Sequence, residues 1–248
     1  MRLLARASAA TLSATTALAL ASACGMLPED APDATAPYAR LTGPEVVNKA
    51  LAATRAAKSV RMAVETTSPE GPVEAFVATD IRGTCTVTLS LGATGTMELV
   101  RTGGTVRTRS DIRTTTADTA TKTATDTADR AGRWTKPAPG DRHAELAERY
   151  CDRETFLGPL APQSGTARKG TARKGRTTTT SGSDAPALTV TGETAEGKWA
   201  ADIATTGKPF LLKLKLRLPH DGTGGGTAPA TVEFSAFDQP FTVNAPKT

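Results

Sequence analysis

Along the chain the spacing of apolar residues changes period near Ser59. Before it, Val46, Val47, Ala50, Leu51, Ala53, Thr54 and Ala57 recur on one side at helical spacing, while Glu45, Lys49, Arg55 and Lys58 lie elsewhere. Thr42 followed three residues later by Glu45 is a capping box, and Leu41 and Val46 stand at staple spacing across it. An amphipathic helix of about four turns is predicted, packed on a sheet. After Ser59 the period is two. Val60, Met62 and Val64 alternate with Arg61 and Glu65; Val73, Ala75, Val77, Thr79 and Ile81 form the next apolar row; Cys85, Val87, Leu89 and Leu91 form a third. Met97 to Arg101 and Thr105 to Arg109 flank Gly103-Gly104, a pair that supplies the positive φ angles of a tight hairpin turn. Such rows describe an antiparallel meander with one buried face, because parallel strands require crossover helices and continuous apolar runs.

The last third of the chain returns to the same pattern. Leu188 and Val190, then Trp199 to Ile203, precede a run in which Leu212, Leu214, Leu216 and Leu218 oppose Lys213, Lys215 and Arg217. The cationic side reads as the solvated outer face. Asp221 to Gly226 is a turn, and Val232 to Phe234 and Phe241 to Val243 are closing strands. Between the two strand groups, Ala144 to Tyr150 is a short helix leading into Cys151. Two stretches interrupt the pattern and are expected to be flexible insertions. Near 111–130 the sequence DIRTTTADTATKTATDTADR has almost no large apolar residue, with O-glycosylation of its threonines as an alternative role. Near 163–185, GTARKGTARKG repeats one short unit, too few copies for a solenoid; a solvated loop is expected, with contact to anionic lipid as the alternative.

Residues 1–23 carry Arg2 and Arg6, no acids, and a mildly apolar run that ends in Ala21-Ser22-Ala23, which is the layout of a secretory signal peptide. Ala21-Ser22-Ala23-Cys24-Gly25 resembles a bacterial lipobox, with alanine where leucine is usual three residues before the cysteine. The resemblance implies that Cys24 becomes the first residue of the mature protein and takes a thioether-linked diacylglycerol; ordinary secretion, cut at the same bond, is the alternative. Residues 24–40 follow as an acidic, Pro-rich, disordered tether that buries no face. Residues 41–248 are then a single domain. With Cys24 assigned to the anchor, Cys85 and Cys151 are an even pair in an exported domain and are expected to form a disulfide.

Charge and missing motifs narrow the function. Without Arg2 and Arg6 the 30 basic residues become 28, against 25 acidic ones, and the tract from Arg168 to Arg176 alone accounts for that excess. Few aromatics interleave with the basic residues, so nucleic acid is not an expected partner. His143 and His220 are the only histidines, without the spacing of a zinc site, and neither metal nor cofactor is expected. There is no nucleophile elbow, P-loop or dinucleotide fingerprint. Glu145 and Glu148 stand at helical spacing in a charged helix, where solvation accounts for them. No catalytic residue is assigned, and an enzyme is not expected.

An early helix followed by a long meander, together with Gly207-Lys208-Pro209-Phe210-Leu211-Leu212 and the ending Phe234-Ser235-Ala236-Phe237-Asp238-Gln239-Pro240-Phe241-Thr242-Val243, resembles the actinobacterial cell-envelope lipoproteins of the LppX/LprG type. That resemblance implies an α+β fold: a LolA-like half-barrel, in which a curved antiparallel sheet wraps around one long N-terminal helix plus a short helix. It further implies a membrane-anchored, extracytoplasmic protein that binds or carries a lipid or other hydrophobic ligand between helix and sheet. The alternative is a non-enzymatic interaction module with a filled core and an envelope protein as partner. An apolar cavity of several hundred Å³ would favour the carrier.

Overall fold

The structure, a computed structural model, describes residues 36–68, 71–111, 132–161, 172–180, 183–219 and 226–243. The expected signal peptide, Cys24, residues 25–35, the expected insertion from 112 on, residues 163–171 and 181–182 of the second expected insertion, and all but Gly226 of the expected turn at 221–226 lie outside the described residues.

Helix α1 (Gly43–Ala56) forms where the pattern predicts it. The Thr42 N–H and hydroxyl both donate to the Glu45 carboxylate, at 2.7 and 2.8 Å, satisfying an end that lacks intrahelical partners. Val46, Val47, Ala50, Leu51 and Thr54 are buried along one side. Five strands follow: β1 (Ser59–Ser68), β2 (Gly71–Asp80), β3 (Cys85–Ser90), β4 (Thr96–Thr102) and β5 (Thr105–Ser110). Next come α2 (Arg142–Tyr150) and the single-turn α3 (Glu154–Leu157). Five more strands follow among the described residues: β6 (Arg173–Thr180), β7 (Ser183–Thr194), β8 (Gly197–Ala204), β9 (Leu211–Pro219) and β10 (Thr227–Ser235).

All ten strands belong to one antiparallel sheet, in the order β5-β4-β3-β2-β1-β10-β9-β8-β7-β6. Two five-stranded meanders are therefore joined by the pairing of β1 with β10, where Met62 faces Phe234 and Val64 faces Val232. The sheet does not close on itself. On its inner face α1 crosses β6 to β9 and α2 crosses β3 and β4, and the buried side chains of helices and strands make one apolar cluster. This is the α+β half-barrel. Gly103 and Gly104 both take positive φ, 55° and 76°, as the hairpin between β4 and β5 requires.

Cys85 and Cys151 form a disulfide, with 5.8 Å between their Cα atoms, tying the end of α2 to the first residue of β3. The Asp141 carboxylate caps α2 by accepting the N–H groups of His143 and Ala144, both at 3.1 Å, so the helix starts two residues before the predicted Ala144.

The structure departs from the pattern in five places. β2 stops at Asp80, whose carboxylate accepts the N–H groups of Arg82 and Thr84 at 2.9 Å and turns the chain, so Ile81 is 65% exposed instead of extending the inner row. In β9 a bulge lets Ile203 face Leu211 and Asp202 face Lys213, so Leu211 takes the inner position expected for Leu212. Residues 241–243 form no strand. Of the insertion expected near 163–185, residues 173–180 and 183–185 belong to β6 and β7. At the end of the expected tether, Ala36–Tyr38 is a 3₁₀ turn. The buried Tyr38 hydroxyl donates to the Ala204 carbonyl, and Lys174 Nζ donates to the carbonyls of Tyr38 and Ala39 at 3.0 and 3.3 Å.

Candidate functional site: the concave face and its cover

Alternation places every second strand residue on the concave side. Met62, Val77, Leu89, Leu99, Leu188, Ala201, Ile203, Leu214 and Val232 are all at most 3% exposed, and none carries a charge. Burying a face of this composition removes apolar area from water, at about 25 cal/mol per Å². It is covered in three pieces. α1 lies over β6 to β9 and α2 over β3 and β4, while α3 continues into the 3₁₀ turn Gly158–Leu160 and inserts Phe156, Leu157 and Leu160. Phe156 and Leu157 have no exposed surface, and the Phe156 ring lies 5.5 Å from that of Tyr150. Side chains this completely enclosed leave no water-sized space beside them, so among the described residues the inner face is filled around them.

The join between α1 and α3 is polar. Arg153, 8% exposed, donates from Nη1 to the carbonyl of Ala57 at 2.7 Å and, at longer range, to those of Thr54 and Arg55, and from Nη2 to that of Thr79 at 3.3 Å. It satisfies the carbonyls that α1 leaves open at its C-terminus, where the helix dipole favours a cation. Burial pulls its pKa below the usual guanidinium value, with Asp80 and Asp238 opposing the shift. Arg55 meets Glu154 through two parallel hydrogen bonds of 2.7 Å, and the hydrogen bonding to Arg55 holds the Glu154 carboxyl below the usual carboxylate range. Above this join opens a groove of about 540 Å³ lined by Arg55, Thr79, Asp80, Arg101, Arg153 and Glu154, among others. Its charges are mixed, and it is not the apolar cavity that a preformed lipid site would show.

Among the described residues no group of three or more His, Cys, Asp or Glu side chains is placed to hold a metal ion, and no helix is long and apolar enough to cross a membrane. Glu148 approaches Arg101 at 3.9 Å, whose Nε donates to the Gly83 carbonyl, so it serves the α2–β4 contact. Sequence reasoning missed α3 and Arg153. One turn is too short to show periodicity, although Phe156-Leu157 with Leu160 is a compact apolar group, and Asp152 accepts the Glu154 N–H at 2.9 Å to start the turn.

No protein-family model matches the sequence, and no curated protein matches it. Among solved structures the chain is similar to LprF from Mycobacterium bovis, with a TM-score of 0.53 at 14% identity over 83% of this chain and 97% of that one. The Mycobacterium tuberculosis lipoprotein LppX gives a TM-score of 0.49 at 13% identity, over 82% of this chain and 98% of that one. The likeness to LprF shows a shared fold, so the architecture is that of the LppX/LprG type, the LolA-like half-barrel.

Proposed function

We propose that the chain is an extracytoplasmic lipoprotein, anchored through an acylated Cys24, that binds a lipid or other hydrophobic ligand on the concave face of its half-barrel and catalyses no reaction. The observation that carries this reading is the uncharged apolar face spanning the sheet, covered by separate helical pieces instead of a second sheet. Each methylene moved from water onto such a face contributes about 0.8 kcal/mol, and no catalytic group is needed. With the face filled, ligand enters by displacing part of the cover. The disulfide supports an oxidising compartment, and the Ala21-Ser22-Ala23-Cys24-Gly25 match supports the anchor. The test is native mass spectrometry of the gently released protein. Co-purified lipid, or uptake of a fluorescent fatty acid, is expected; a folded protein that does neither sinks the carrier reading.

The filled core favours a second reading, an interaction module in which the same residues serve only as packing and an envelope protein binds outside. In that case no apolar probe loosens the cover in hydrogen exchange, whereas ligand entry would.

A further inference from the structure

The part of the cover that includes α3 has the make-up of a ligand. Glu154 lays its carboxylate on the Arg55 guanidinium, Nε to Oε1 and Nη2 to Oε2, each at 2.7 Å. A few residues on, Phe156, Leu157 and Leu160 are buried in the core. Their side chains hold about fifteen carbons, close to the apolar content of one long acyl chain. A carboxylate gripped in parallel by an arginine, with one chain's worth of hydrocarbon enclosed beneath it, is how a protein recognises a fatty acid. We propose that Glu154–Leu160 is an internal mimic of a long-chain fatty acid, and that the site beneath it takes a single-chain fatty acid, with carboxylate on Arg55 and alkyl chain in place of Phe156, Leu157 and Leu160. This rests on the reading of the concave face as a hydrophobic-ligand site and names its ligand class.

The rest of the cover is fixed in ways this segment is not. α1 runs through Ala57 and Lys58 directly into β1, and the end of α2 is bound to β3 by the disulfide. α3 pairs with no strand, and its side-chain ties are gathered at its start: Arg153 to α1 and β2, Glu154 to Arg55, and the Thr155 hydroxyl to the Arg149 carbonyl. Withdrawal of the segment leaves Arg153 on the carbonyls of α1 and frees Arg55 at the edge of the groove. The other charged groups lining that groove are Arg101, Asp80 and Asp152. Asp80 is engaged with the N–H groups of its own turn and Asp152 with that of Glu154, and Arg101 with Gly83 and Glu148. Arg55 is thus the cation released when Glu154 leaves, and it matches a carboxylate head group in charge and in its two-pronged geometry.

The experiment measures binding of palmitate and of methyl palmitate to the full mature chain, to Glu154→Gln and to Arg55→Gln, with hydrogen exchange of residues 154–160. The wild type is expected to bind palmitate roughly tenfold more tightly than the ester, the effect of one charge-assisted pair. Glu154→Gln removes the internal competitor and strengthens palmitate binding by about the same factor. Arg55→Gln also unclamps the segment, so ester binding rises about tenfold while palmitate gains no charge partner, and the preference for the acid is lost, a ratio that a partly unfolded sample would not change. Palmitate also strips protection from the amides of 154–160 and leaves α1 protected. Equal binding of acid and ester by the wild type, or palmitate bound with 154–160 fully protected, overturns the mimic and leaves the hydrophobic-ligand reading standing. Failure of both probes to bind the wild type and Glu154→Gln overturns both.

Discussion

Thr54 joins two elements through one hydroxyl: on the buried side of α1 its Oγ1 accepts the N–H of Leu211, the first residue of β9, at 3.0 Å. Thr54→Val keeps the shape and leaves that N–H unpaired in the core, which is expected to cost about 1–3 kcal/mol. Urea unfolding with an unchanged denaturant slope measures it. Gly192 makes the converse point, since the Trp199 ring lies where its Cβ would be. Gly192→Ala is expected to destabilise by about 1–3 kcal/mol through overpacking, and a variant with the wild-type unfolding midpoint would contradict the tight fit. Asp238 takes the left-handed conformation at φ 60°. Its carboxylate accepts Lys208 Nζ and the Lys58 N–H, each at 2.7 Å, and those bonds lower its pKa, Lys208 contributing most. The folded pKa lies below the unfolded one, as it does for Glu154. Both contributions are therefore present above the ordinary carboxylate range, around pH 4, and are lost as the pH falls through the folded values. Asp238→Asn should flatten the acid limb of the stability profile. The sequence marks Thr54 as part of the helix's apolar side, but the partner of its hydroxyl lies 157 residues away and leaves no local sign.

At the scale of elements, legibility follows periodicity. α1 and the inner rows of β1 to β4 stand out because burial on one face imposes a period of 3.6 or 2 on the apolar residues. β6, with the sequence RKGRTTTT, has no such row; its extended state is set by pairing with β7, where Lys174 faces Val190 and Thr177 faces Leu188 across a register shift. The β9 bulge is equally silent, because Leu211 and Leu212 are the same residue type and only the pairing with β8 decides which faces inward. The β5 edge has its own device: Thr135 exchanges both backbone hydrogen bonds with Thr108, at 2.8 and 2.9 Å. Next to it Arg109 stacks 5.1 Å above the Trp134 ring while also pairing with Glu98 at 2.6 Å. An edge paired in this way offers fewer free N–H and C=O groups to another chain. Trp134→Ala loosens the strap, and light scattering at rising concentration should show earlier self-association than in the wild type. The disulfide ties α2 to β3 covalently. Replacing Cys85 and Cys151 with serine together is expected to lower stability by about 2–5 kcal/mol, read from thermal unfolding; an unchanged midpoint would mean that the α2–β3 contact holds without it.

The whole molecule depends on two features far apart in sequence. The first is the pairing of β1 with β10, which turns two meanders into one ten-stranded half-barrel. Local patterning shows strands but not which distant ones meet, so this pairing left no sign in the sequence. The second is Cys24, which, under the anchoring proposed above, would decide where the barrel works. Of the residues expected to form a tether, Ala36–Tyr38 are docked, with Tyr38 buried and Lys174 Nζ on its carbonyl. If residues 24–35 serve as the expected tether, an extended chain of that length at about 3 Å per residue would let the barrel stand some tens of ångströms from a bilayer. An anchor of two or more acyl chains at about 0.8 kcal/mol per buried methylene holds a protein at a membrane where one chain would not. Cys24→Ser leaves the barrel and its disulfide untouched and removes only that anchor. On detergent phase separation the mature wild type is expected in the detergent phase and Cys24→Ser in the aqueous phase, both folded by circular dichroism. Wild-type protein in the aqueous phase with a Cys24 thiol that alkylates freely would establish the secreted alternative, and a ligand bound by the barrel would then diffuse with it instead of staying at the membrane.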